Sequence, residues 1–99
     1  MSRIIAIAAG LLCAAPGALG QDNESRKLAA ACATCHGTDG RAVTKDVVPL
    51  AGLPREHIAS QMRAFRDGSR PATVMHQIAK GYTDPQIDAL AAWFAAQKR

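Results

Sequence analysis

The residues best equipped for chemistry in this chain stand in a row: Cys32-Ala33-Thr34-Cys35-His36. Two thiols separated by two small residues, with an imidazole beside the second, fit four chemistries. The cysteines can close a disulfide. They can act as a thiol–disulfide oxidoreductase pair, which requires a preceding strand and a βαβ setting. They can bind zinc, which requires three or four ligands, and no second pair with ligand spacing follows in the sequence. Or the two thiols can add to the vinyl groups of a haem as thioethers, with the histidine binding iron from below. C-x-x-C-H is the signature of that attachment, and it is the reading that the rest of the chain favours. The disulfide is its main rival. His36 then binds iron through Nε2, and its other ring nitrogen needs a hydrogen-bond acceptor.

An iron held by one histidine has a second axial position. Four side chains compete for it: His57, Met62, Met75 and His76. Met62 shares an apolar stripe with Ile58 and Phe65, so its default role is core packing. His57 precedes that stripe and reads as a solvated residue near a helix start. Met75 lies in an irregular stretch after Pro71, where a loop can present it to a flat ring. His76 is its immediate neighbour, and consecutive side chains point in different directions.

These residues must be positioned by helices, because no segment alternates as a strand does. Ser25 to Ala33 is rich in alanine and other good helix formers and runs into the cysteine motif. Gly37 to Pro54 has glycines and prolines and no sustained period, and reads as loop. Arg55 to Arg66 places Ile58, Met62 and Phe65 on one face, and Asp67-Gly68 ends that helix. Thr73 to Lys80 has room for a helical turn, stopped by Gly81. Thr83-Asp84-Pro85-Gln86 has the spacing of a capping box, with Pro85 in the first turn where its missing N–H costs nothing. Ile87, Leu90, Ala91 and Phe94 then share a face, and Lys98 and Arg99 follow at the end favoured by the helix dipole. The expectation is an all-α fold with three main helices and long loops.

The chain opens with Arg3, an apolar run from Ile4 to Leu12, and the small-x-small step Ala18-Leu19-Gly20. This reads as a cleaved secretory signal peptide over 1–20, leaving a domain over 21–99. The apolar run is too short to span a bilayer, so no stable membrane insertion is expected after cleavage. Cys13 leaves with the leader. In an oxidising compartment two remaining cysteines would ordinarily pair; thioether attachment explains why these need not. So short a domain is near the lower size limit for an independent core and calls for a staple. The formal charge of +4 falls by one with the loss of Arg3, too small a surplus to suggest nucleic acid. Arg55, Arg63, Arg66 and Arg70 read either as a solvated face or as a docking patch for an acidic partner.

Three stretches together resemble the class I c-type cytochromes: "CATCHGTDG", "PLAGL" and "VMHQIAKGYTDPQIDALAAWFAAQ". The resemblance covers nearly all of 21–99. It implies the class I cytochrome c fold, with the first and last helices crossing beside one covalent haem c. Ala29, Ala30 and Ala31 would permit the close approach, and Leu90, Trp93 and Phe94 would supply bulk. It implies Cys32 and Cys35 as the thioether attachments, His36 as the proximal iron ligand and Met75 as the distal one. It implies one-electron transfer in the periplasm, with no open iron site for substrate and hence no enzyme activity of the chain's own. One departure concerns the acceptor for His36. The family places a proline carbonyl there; Val48 holds that place here and Pro49 comes one later, so either carbonyl is a candidate. The stretch "RPATVMHQIAKGYTD" is further similar to the cytochrome subunits of flavocytochrome c sulfide dehydrogenases. That similarity implies an FAD-containing flavoprotein partner that oxidises sulfide. The alternative is a freestanding carrier between membrane complexes and terminal reductases or oxidases.

Overall fold

A computed structural model of the chain describes residue 10 and residues 17–99. Most of the expected leader, residues 1–9 and 11–16, lies outside the described residues. Among the described residues five α-helices follow in order: α1 (Gly17–Ala30), α2 (Ala33–His36), α3 (Arg55–Asp67), α4 (Met75–Ala79) and α5 (Asp84–Ala95). A 3₁₀ turn, Thr38–Gly40, follows α2. No strand occurs among the described residues. The long helices are the three expected ones, α1, α3 and α5.

Helix α1 begins earlier and ends sooner than its composition suggests. It stops at Ala30, because the Cys32 N–H donates to the Ala29 carbonyl at 3.0 Å, a tightened last turn. The chain then winds a separate short helix around the motif, with the His36 N–H donating to the Cys32 carbonyl at 2.8 Å. Gly37 ends it at a φ of 83°, where any Cβ would collide with the Arg41 carbonyl oxygen.

The loop that follows α2 is irregular but tied down. The Leu50 and Ala51 amides both donate to the Gly40 carbonyl, at 2.8 and 3.1 Å. Gly52 N–H donates to Phe94 O at 2.9 Å, and Arg41 Nε to Lys98 O at 2.8 Å. The first fastens the loop to the last turn of α5 and the second to the residues just beyond its end. Backbone groups left over in a loop must find partners; here Phe94 of α5 supplies one, for Gly52, and the Gly40 carbonyl serves two others.

Helix α5 starts as its sequence requires. Thr83 Oγ1 accepts from the Gln86 N–H at 3.3 Å, and Gln86 Oε1 accepts from the Thr83 N–H at 3.0 Å. Its apolar face, Ile87, Leu90, Ala91 and Phe94, is fully buried. Helix α1 packs on α5, and α3 packs on both α4 and α5. At the α1–α5 crossing Ala29 is buried, while Ala30 and Ala31 are exposed. One alanine rather than three makes the close approach, since only one position per turn of α1 faces α5. Trp93 is half-buried and meets Phe94 edge to face, centroids 5.2 Å apart.

The buried core is small. Beyond Ile58, Met62, Ile87, Leu90 and Phe94 it consists of alanines. Much apolar surface on α3, α4 and α5 faces instead a cavity between them.

Candidate functional site

That cavity has a volume of about 680 Å³, in the range of cofactor-sized sites. The motif supplies one wall: Cys32, Cys35 and His36 all line it. Val47, Val48, Leu50 and Leu53 from the long loop continue that wall. Helix α3 contributes Ile58, Met62 and Phe65, and α5 contributes Leu90 and Phe94. Met75, Ile78 and Tyr82 line it from α4 and the turn that follows. The sequence pattern showed the helical members through their period of 3.6 residues. The loop members and Tyr82 carry no such periodic signal.

His36 is oriented from behind. Its Nδ1–H donates to the Val48 carbonyl at 2.7 Å. A carbonyl only accepts, so this contact fixes the tautomer and leaves the lone pair on Nε2. Of the two expected acceptors, Val48 and not Pro49 is the one used. The acceptor is a backbone oxygen, so a valine can serve where the resemblance implies a proline.

Cys32 and Cys35 are both free thiols. Cys32 is half-buried, and burial above all pushes its thiol pKa up, with a smaller contribution from Cys35. Redox-active cysteine pairs need the opposite shift, since the thiolate is the nucleophile. Together with the helical approach to the motif, this leaves the oxidoreductase reading without support. Among the described residues, no three His, Cys, Asp or Glu side chains converge as ligands for a metal ion.

The candidates for the second axial position separate in part. Met75 opens α4, half-buried and lining the cavity. Met62 lines it too, but is 7% exposed and packed into the core. His57 reaches the cavity edge from an exposed position on α3. His76 is not among the lining residues; its Nδ1 is buried without a hydrogen-bond partner among the described residues.

The arginines read as a solvated face or a docking patch are mostly engaged within the chain. Arg63 donates to Asp84 at 3.1 Å and to Asp88 at 2.7 Å. Arg66 donates to Asp84 at 2.6 Å and to the Tyr82 carbonyl at 3.4 Å. The two arginines hold the Asp84 carboxyl below its ordinary pKa. Arg55 pairs with its neighbour Glu56 at 3.2 Å. The Arg63 and Arg66 pairs tie α3 to the start of α5, and so close the base of the segment that carries Met75.

The site also fits a group of known proteins. The cytochrome c family model matches residues 23–98. A thiosulfate dehydrogenase electron acceptor from Thiomonas intermedia is 37% identical over 101 residues, which covers 99% of this chain and 45% of that protein. The cytochrome subunit of sulfide dehydrogenase from Chlorobaculum tepidum is 43% identical over 68 residues, covering 68% of this chain and 60% of the relative. Among solved structures, thiosulfate dehydrogenase (TsdBA) from Marichromatium purpuratum superposes with a TM-score of 0.69 at 33% identity, over 78% of this chain and 19% of that one. The chain spans less than two thirds of the length of each of these relatives.

Proposed function

We propose that this chain, which belongs to the cytochrome c family, holds one haem c in the cavity and accepts electrons from a dehydrogenase of reduced inorganic sulfur. Membership implies a covalently bound haem c and one-electron transfer. The single haem, its ligands and the electron donor are the reading advanced here.

In this reading Cys32 and Cys35 would form the thioethers, and His36 and Met75 would hold the iron. What carries it is one juxtaposition: both thiols and a His36 of fixed tautomer line the same apolar cavity as the thioether of Met75. Bound there, the haem iron supplies a one-electron couple between ferric and ferrous states. The protein's own residues set its conditions. The Val48 carbonyl accepts from Nδ1–H of His36, which leaves Nε2 as the ring nitrogen that would bind iron. A thioether is a soft, weak donor, so Met75 favours the ferrous state over what two histidines would give. Leu50, Ile58, Phe65, Leu90 and Phe94 keep water from the centre of the site. With His36 and Met75 both holding the iron, no position would be left for a substrate, and the chain would carry electrons rather than transform a metabolite.

Electrons would then cross at the cavity mouth. Val48 and Val74 line the cavity yet are 56% and 51% exposed, and Ile78 is 39% exposed. This apolar rim is where a donor would dock. The names of the two relatives support a sulfide or thiosulfate dehydrogenase as that donor. A flavoprotein that oxidises sulfide is the narrower version, drawn from the stretch Arg70–Asp84. The reading also places the domain 21–99 in the periplasm after cleavage following Gly20. No described helix is long and apolar enough to cross a membrane.

Native extract resolved by size, with haem and flavin absorbance followed together, tests the donor. Haem eluting with a larger dehydrogenase, and reduced on addition of sulfide or thiosulfate, is the expected result. A haem peak at the mass of the mature chain, inert to both compounds, would favour a freestanding carrier.

A further inference from the structure

The bond that aims His36 comes from a loop, and one residue closes that loop. Val48, whose carbonyl accepts from His36 Nδ1–H at 2.7 Å, lies in the irregular segment between the 3₁₀ turn and α3. Among the described residues, 42–47 make no backbone hydrogen bond to another segment. The place of the Val48 carbonyl therefore depends on where the loop is clamped, and the clamp is Gly40.

The Gly40 N–H donates back to the Gly37 carbonyl at 3.0 Å, and the Gly40 carbonyl accepts from the Leu50 and Ala51 amides at 2.8 and 3.1 Å. Gly37 follows His36 directly, and Leu50 stands two residues after Val48. The bonds make a closed circuit: His36 to Val48, along the chain to Leu50, across to Gly40, and back through Gly37 to His36. The backbone enters this circuit by left-handed steps, with φ of 83° at Gly37, 56° at Asp39 and 80° at Gly40. Asp39 is the one non-glycine with positive φ among the described residues, and such a conformation persists where its surroundings over-determine it. Gly40 is buried, and a Cβ there would stand 2.8 Å from Phe94 Cδ1, 2.9 Å from Ala51 N and 3.0 Å from Leu50 Cβ. A side chain at 40 would therefore push the returning loop away from both the motif and α5. Gly68 is the contrast: its φ is 85°, yet an added Cβ there meets nothing within 4 Å.

We infer that Gly40 is a positioning residue for the proximal histidine: it holds Leu50 and Ala51 in place, so sets the Val48 carbonyl, and through that bond tunes what His36 donates to iron. The inference rests on the haem reading above. A hydrogen bond from Nδ1–H to a fixed acceptor makes the imidazole a stronger donor, which favours the ferric state. Lengthening that bond weakens the donor and favours the ferrous state. Leu50 and Phe94 both line the cavity, so the same close contact also fixes two of its apolar members. Only the absence of a side chain lets three segments distant in sequence meet at this point: the turn after the motif, the returning loop and α5.

The test uses the holoprotein. In the wild type, hydrogen exchange at Leu50 N–H, Ala51 N–H and His36 Nδ1–H, corrected for intrinsic rates, should show protection equal within about threefold, because groups in one cooperative unit open together. Freely exchanging Leu50 and Ala51 amides beside a protected Nδ1–H would overturn the assignment. Gly40→Ala should speed Nδ1–H exchange and raise the reduction potential by up to about 59 mV, a tenfold change in the ferrous-to-ferric ratio. Gly68→Ala brings the same left-handed strain without the collision; it should lower the melting temperature and leave the potential unmoved. A Gly40→Ala protein that loses stability but keeps the wild-type potential and Nδ1–H protection would overturn the assignment and leave the haem reading standing. If Gly40→Ala yields no holoprotein, the wild-type exchange rates decide. A wild-type chain without covalent haem would overturn the haem reading, and the assignment with it.

Discussion

The two walls of the cavity are built in different ways. The wall formed by Cys32, Cys35 and His36 is contiguous in sequence, and short-range hydrogen bonds shape it: Cys32 N–H to Ala29, His36 N–H to Cys32, Gly37 N–H to Ala33. One bond to the Val48 carbonyl then aims the imidazole. The opposite wall hangs on one short helix, α4, with a single buried residue, Ala79. It is fixed from outside itself, by the Arg63 and Arg66 pairs to Asp84 and Asp88 and by the capping box that starts α5. One wall is specified by bonds within itself; the other depends on α3 and α5, which flank α4 in the chain and are joined across it by those pairs. The contrast locates flexibility, since segments with few buried contacts open first.

Removing the local wall should have the largest effect. Replacing both Cys32 and Cys35 with serine abolishes covalent attachment, read as complete loss of haem from the denatured chain on extraction into acidified organic solvent. Because the core beyond the cavity is mostly alanine, that variant should also lose most of its helical circular dichroism. Retention of covalent haem would refute the attachment sites.

The distant wall should fail more gently. Met75→Leu conserves volume, so its stability cost should stay under about 1.5 kcal/mol. Its potential should fall, and an added ligand such as cyanide should bind rapidly at the freed position. Met62→Leu is the control and should change neither. If the two variants exchange behaviour, Met62 rather than Met75 is the ligand.

The supports of that wall come next. Thr83→Ala removes the cap of α5 and should cost about 1 kcal/mol, read by thermal unfolding. The Asp84 pairs add a pH signature. The folded pKa of Asp84 is depressed, by hydrogen bonds from Arg66 first and Arg63 second. Its contribution is therefore complete above the unfolded carboxylate value of about 4 and is lost as pH falls through the folded pKa. Asp84→Asn should lower the melting temperature at neutral pH, and the gap to wild type should close on acidification. A gap independent of pH would show that the charge contributes nothing.

The smallest effect belongs to Val48. Its carbonyl aims His36, while its side chain is 56% exposed. Val48→Ala should change stability by less than about 0.5 kcal/mol and leave the potential unmoved. A large shift in potential would mean that the side chain, and not only the backbone oxygen, shapes the site.

Some of this was legible from residue types alone. The cysteine–histidine motif, the α3 stripe and the capping box at Thr83 each depend on residues within two turns of one another. Short-range geometry is nearly the same wherever such a pattern occurs, so spacing determined them. The arginines were not legible. Arg63, Arg66 and Arg70 look alike in sequence as members of one basic surface, yet two are bound to α5 and the third faces the cavity. Ala29, Ala30 and Ala31 are equally indistinguishable, and only Ala29 is buried. The identity of the His36 acceptor and the limits of α1 belong to the same class. Each is settled by which surface arrives from a distant segment, and a side chain's role at long range depends on the partner that tertiary folding brings to it.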